Sequence, residues 1–168
     1  KFLLTAGYHA QTVICRAKQV DGNWVTEEVV SLPPPTRGWN SEVHTPIVYR
    51  GHIFGVGKTK RGLWTCLDFE GNEVWTSAGH ASFGMGGYTL ADGMFFVLEG
   101  KTGVLRVLDA NADEYRELAS FQLLKGPDVW APPIISHGRM LIREMGKLIC
   151  LKIVDGSEEI AAATASPT

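Results

Sequence analysis

The sequence predicts an all-β fold, a β-propeller of four-stranded antiparallel blades. Three observations predict it. Apolar and β-branched residues alternate in short runs instead of at helical spacing. Tight turns ending in glycine join many of those runs. The whole pattern recurs with a period near 42 residues, the length of one propeller blade.

The repeat is clearest in HTPIVYRGHIFGVG (from His44), GGYTLADGMFFVLEG (from Gly86) and APPIISHGRMLIREMG (from Ala131). Each is an apolar run, a turn and a second apolar run. The turn glycines Gly51, Gly93 and Gly138 are spaced by 42 and 45 residues. Glycine suits such turns because they need positive φ without strain at Cβ. A third strand follows in GLWTCLDF, GVLRVLDA and GKLICLKI, with a fourth copy, TVICRAKQ, near the start. Its central residues are Cys15, Cys66, Val107 and Cys150. A last strand follows a polar turn in DGNWVTEEVV, EGNEVWTS, ADEYRELASF and DGSEEIAA. EYRELASF has some helical spacing, but its place in the repeat makes it an outer strand.

The blades are therefore expected at 1–32, 39–78, 80–124 and 127–162, with a disordered tail over 163–168. PPPTRG, from Pro33, reads as an extended connector, because three prolines cannot sit inside a ladder. The first blade lacks the inner strand and turn glycine, so KFLL begins where a second strand begins. The expectation is a C-terminal fragment of a larger seven- or eight-bladed propeller. A closed four-bladed ring, with the tail supplying a strand, is the alternative.

Composition narrows the function. With 16 Lys+Arg against 18 Asp+Glu, the net charge of −2 argues against a nucleic-acid footprint. No apolar run is long enough for a membrane span. Three cysteines with no CxxC pair disfavour a disulfide scaffold or a cysteine-rich zinc site. They share one repeat position with Val107, which marks it as a packing position.

WTCLDFEGNEVW (Trp64 to Trp75) carries a pattern of apolar residues, Leu-Asp, a glycine turn and a closing Trp. It resembles the repeat of the pyrroloquinoline-quinone (PQQ)-like, or quinoprotein-like, β-propeller family. LADGMFFVLEGKTGVLRVLDA and WAPPIISHGRMLIREMGKLICLKI resemble further units, and the likeness covers most of residues 39–153. In that family the closing Trp docks between adjacent blades. The resemblance implies a bacterial, exported protein, periplasmic or extracellular. It also departs from the pattern. Asp68 and Asp109 keep the family's Asp, whereas Ala17 and Lys152 replace it, and the vicinal Cys-Cys pair of some quinone-dependent dehydrogenases is absent.

Candidate chemistry is sparse. GVGKT, from Gly55, imitates a phosphate loop, but His52 stands where the pattern needs its first glycine. GMGGY, from Gly84, reads as close backbone packing near a propeller axis. His9, His44, His52, His80 and His137 show no metal-ligand spacing, so no metal site is expected. Asp68 and Asp109 enter turns, where they are expected to accept backbone hydrogen bonds. No catalytic set assembles.

Topology supplies the best candidate surface, the channel mouth of a propeller. Loops leading into inner strands carry the candidate ligand-binding residues Trp39, Asn40, Glu42, His44, His80, Asp128 and Trp130. Loops joining second and third strands carry Lys58, Lys60, Arg61, Lys101, Arg143 and Glu144. Aromatic, amide and carboxylate groups together suit a planar polar ligand or a peptide. The plainer reading of Trp39 and Trp130 is that they cover blade ends. The function expected is a non-catalytic, rigid scaffold binding a protein or a small polar ligand, with no cofactor evident. The alternative, implied by the resemblance alone, is part of a PQQ- and Ca²⁺-dependent dehydrogenase of alcohols or sugars.

Overall fold

A computed structural model describes residues 1–8, 10–32, 39–57 and 62–153. Among them the protein is all-β with no helix, so no helix crosses a membrane. The connector 33–38, His9, the loop residues Lys58, Lys60 and Arg61, the DGSEEIAA strand and the tail all lie outside the described residues.

Fourteen strands form four antiparallel sheets, each drawing its strands from one of the expected segments. The first sheet holds β1 (Phe2–Leu4), β2 (Thr12–Val20) and β3 (Asn23–Leu32). The second holds β4 (Ile47–Tyr49), β5 (His52–Gly57), β6 (Leu63–Leu67) and β7 (Glu73–Thr76). The third holds β8 (Tyr88–Ala91), β9 (Met94–Leu98), β10 (Val104–Asp109) and β11 (Glu117–Gln122). The fourth holds β12 (Ile134–Ser136), β13 (Arg139–Arg143) and β14 (Leu148–Lys152). Every sheet is a simple meander in sequence order. Within EYRELASF the strand is β11, which begins at Glu117; Glu114, Tyr115 and Arg116 precede it.

The turns explain the meanders. Arg50-Gly51, Asp92-Gly93 and His137-Gly138 each put two successive residues at positive φ. They join Tyr49 to His52, Ala91 to Met94 and Ser136 to Arg139 as two-residue hairpins. Two positive φ values in a row define the type I′ turn, whose twist matches the strands it links. Asp21-Gly22 does the same for β2 and β3.

Register makes the repeat physical. Phe2 pairs with Cys15, Phe54 with Cys66, Phe96 with Val107 and Leu141 with Cys150. The four aligned residues thus face an aromatic or leucine neighbour on the preceding strand. In the first sheet that strand is β1, so among the described residues this sheet has no counterpart of β4, β8 or β12. The outer ladders β2–β3, β6–β7 and β10–β11 each carry a bulge beside the aligned residue. Val29, Val74 and Leu118 are the residues left out of those ladders, and all three are exposed. Such bulges bend and twist an outer strand and make it a poor template for pairing.

The chain divides into two compact units, Lys1–Ser82 with Ala112–Glu114, and Phe83–Asn111 with Tyr115–Thr168. In the first, Ile14 and Leu32 of one sheet pack with Ile53 and Leu67 of the next, and Trp39 joins them. In the second, Leu98 and Leu105 pack with Met140, Ile142, Ile149 and Leu151, with Leu124 and Val129 between. There β12 also lies beside β8, and Thr89 Oγ1 donates to Pro133 O at 2.7 Å.

Asp68 closes the β6–β7 turn as expected. Its Oδ1 accepts from Glu70 N at 2.9 Å and Asn72 N at 2.8 Å, and its Oδ2 from Asn72 Nδ2 at 2.9 Å. Burial pushes its carboxyl up, but these bonds, Asn72 foremost, outweigh it and hold the group below its usual range. A depressed carboxyl stabilises the fold above the unfolded value, about 3.9, and that stability fades as pH falls through the lower folded value. Asp68→Ala is therefore expected to cost about 1 kcal/mol at neutral pH. Thermal melts at pH 7 and in strong acid check this: the gap to wild type should close in acid. A gap that persists there would assign the loss to packing. Asp109 differs: its Oδ2 lies 3.5 Å from Arg116 Nη1, across a longer turn.

Candidate functional site

Most of the described candidate residues fall in two places, one in each unit. In the first unit, the segment leading into β4 folds onto the residues after β1. Trp39 and Asn40 are each only 2% exposed. Trp39 belongs to the core cluster, its indole against Gly57 so tightly that a Cβ there would lie 2.5 Å from Nε1. Asn40 Nδ2 donates to Ala6 O at 3.1 Å, and Ser41 N to Thr5 Oγ1 at 3.1 Å. Thr5 Oγ1 in turn meets the buried Thr12 Oγ1 at 2.7 Å. Glu42 is half-buried against Gly7, and the His44 carbonyl accepts from Ser41 Oγ. This arrangement is an anchor. The bonds from Asn40 Nδ2 and Ser41 N tie the loop to the residues after β1 and hold it in place. Trp39 Nε1 and Asn40 Oδ1 are buried with no hydrogen-bond partner among the described residues.

His80 is exposed and its backbone N–H donates to Ser77 O at 3.0 Å, in the turn after β7. Ser77 closes that end of the sheet. Its hydroxyl accepts from Trp64 N at 3.0 Å and donates to Ala81 O at 2.7 Å.

In the second unit, Asp128 and Trp130 line an open cleft of about 310 Å³ with Ala131, Arg143, Glu144 and Met145. Two kinds of loop meet there: the one leading into β12, and the β13–β14 turn. Sequence reasoning put Asp128 and Trp130 in one group and Arg143 and Glu144 in the other. The fold brings these four together. Trp130 is 39% exposed and Met145 82% exposed, so the cleft has an open apolar wall. Val129, fully buried between Asp128 and Trp130, pins the loop that carries them. Its N–H donates to Gly100 O at 3.0 Å.

Glu144 orders the cleft. Its Oε2 accepts from Gly126 N at 2.6 Å. A Cβ on residue 126 would lie 2.6 Å from that oxygen, so a larger residue there would push the Glu144 carboxylate aside. Asp128 has a φ of 64°, a left-handed conformation that Asp tolerates better than most residues. Met145, Gly126 and the ordering role of Glu144 were not foreseen. The glycine ahead of the apolar Ile-Ile of β12 offered no distinctive pattern. Lys101 is exposed and lines no part of the cleft.

The remaining candidate chemistry has structural partners. Cys66 is fully buried, and burial with the nearby Asp68 charge pushes its thiol up to about 12, which makes it inert. Glu99, which the sequence did not single out, is 9% exposed. It accepts from Arg106 Nε at 2.6 Å and Thr102 Oγ1 at 2.5 Å, while Arg106 Nη1 reaches Glu117 at 2.6 Å. Burial also raises the Tyr115 phenol beside Glu117. That network ties β9, β10 and β11 together and leaves no free acid or base. In GMGGY, Gly86 lies against Leu98 and Gly100 backbone, and Gly87 against Ala131 and Pro132. Close backbone packing is thus what those glycines do. Trp75 packs within its own sheet, its ring tilted against Phe54 with centroids 6.0 Å apart. Among the described residues, no group of three or more His, Cys, Asp or Glu could hold a metal ion.

Fold and site together define, among the described residues, an all-β protein of repeated antiparallel sheets with an open, mixed-charge cleft at the loop ends of its fourth sheet. No protein-family model matches the chain, and no curated protein is significantly similar to it in sequence.

Proposed function

We propose that the chain is a PQQ-like β-propeller repeat module, its four sheets being blades, and that it acts as a non-catalytic, rigid binding scaffold. The repeated register of Phe2–Cys15, Phe54–Cys66, Phe96–Val107 and Leu141–Cys150 supports the repeat reading. One observation carries the functional reading: the 310 Å³ cleft gathers Asp128 and Trp130, from the loop before β12, with Arg143 at the end of β13 and Glu144 in the turn after it. Exposed side chains anchored by a buried residue between them, as Val129 lies between Asp128 and Trp130, suit recognition. An exported location follows from the family resemblance alone. No observation among the described residues favours the quinone-dependent dehydrogenase.

Ligand-observed NMR with small aromatic probes, benzyl alcohol first, tests the reading. Binding should weaken about tenfold when Trp130→Ala removes the aromatic wall, with no probe turned over. Binding indifferent to Trp130, or no binding by any aromatic probe, would overturn it.

A further inference from the structure

We infer that the cleft takes a zwitterionic ligand, an α-amino acid with an apolar or aromatic side chain; this rests on the binding-scaffold reading of the same cleft. Asp128 and Arg143 carry opposite charges, line one cleft, and neither makes an ion pair among the described residues. Elsewhere several described side chains of opposite charge do pair, as Lys18 with Glu27 at 2.6 Å and Arg106 with Glu99 at 2.6 Å. Opposite charges that share a cleft without neutralising each other suit a ligand carrying both. A guanidinium presents two parallel N–H donors to a carboxylate, so Arg143 takes the ligand's carboxylate. Asp128 takes the ammonium.

Glu144 does not compete for the ammonium with both oxygens, because Oε2 is held by the Gly126 N–H. Its role is to position the β13–β14 turn that follows Arg143 at the end of β13. Trp130 and Met145 form the apolar wall, and aromatic and thioether groups both accept flat or branched apolar side chains. The size agrees. A cleft of about 310 Å³ is at the small end of ligand sites, too small for a long peptide to be enclosed. A purely cationic ligand would meet Arg143, and a purely anionic one would meet Asp128. Among charged ligands, one that carries both charges can set each against its opposite. Asp128 reaches its place through a left-handed backbone, the kind of local strain that collects at binding sites.

Ligand-observed NMR titrations of the full chain with L-phenylalanine, N-acetyl-L-phenylalanine, L-phenylalanine amide and uncharged benzyl alcohol test the inference. L-phenylalanine should bind best, and loss of either charge should weaken binding about tenfold or more. In Asp128→Asn, L-phenylalanine and its N-acetyl derivative should bind alike. In Arg143→Gln, L-phenylalanine and its amide should bind alike. Both side chains are exposed, so neither variant should disturb folding. If benzyl alcohol binds through Trp130 but L-phenylalanine binds no better, the zwitterion inference falls and the scaffold reading stands. If no probe binds, both fall. A preference for the zwitterion that survives both variants would also overturn the assignment.

Discussion

Gly86→Ala should be the most disruptive single-methyl change in the second unit. A Cβ at that position would lie 1.8 Å from the Leu98 carbonyl oxygen and 2.8 Å from Gly100 N. Both are backbone atoms, so no side chain can turn aside. The surroundings are fixed as well: Gly86 N and Gly100 N both donate to Phe83 O, each at 2.9 Å. To admit the methyl, the end of β9 must move, and Leu98 at that end is fully buried in the core. The cost should be about 3 kcal/mol, at the upper end of overpacking. For a chain of this length that lowers the melting temperature by about 6–12 °C. Gly146→Ala is the matched control. Nothing lies within 4 Å of the place its new methyl would take, so its effect should stay within about 0.5 kcal/mol. Equal melting temperatures for the two variants would refute the close-approach account.

Trp64→Ala should have the largest effect in the first unit. Trp64 is fully buried on β6, opposite Val56 of β5. Its backbone is bound on both sides by Ser77: the hydroxyl accepts from Trp64 N, and Ser77 N donates to Trp64 O at 2.9 Å. Truncation leaves a void that this fixed backbone cannot close. The loss expected is about 3–5 kcal/mol, read from the midpoint of denaturant unfolding. Trp24→Ala is the counterpart: that side chain is 72% exposed near the tip of the β2–β3 hairpin and should change stability little. A Trp64 variant that unfolds at the wild-type midpoint would mean the indole contributes nothing to the core.

Much of the strand architecture was legible from residue order. Strands declare themselves through alternation, and type I′ turns through an X-Gly pair, because each is decided by a few adjacent dihedrals. The turns at Gly51, Gly93 and Gly138 are legible for that reason, and so is the shared register of Cys15, Cys66, Val107 and Cys150. Asp68 and Asp109 show where the repeat misleads. They hold the same repeat position, but Leu67 pairs with Glu73 and Leu108 with Glu117 across turns of different length. Asp68 therefore finds backbone amides within reach, while Asp109 faces Arg116.

The candidate site was legible only as two sets of loops. Nothing in the order of residues separates Trp39 from Trp130, since both precede a first strand of a sheet. Gly57, on the far side of a hairpin, leaves room for one indole and draws Trp39 into the core. Trp130 meets no such vacancy and stays at the mouth of a cleft. Likewise, Asp128 and Arg143 are separated along the chain, and their unpaired charges in one cleft arise from how β12, β13 and β14 fold back on one another. Local sequence chooses strands and turns because their energies are short-range. Which side chains are buried, and which charges meet, depends on contacts between residues far apart in sequence, and those exist only once the sheets have packed.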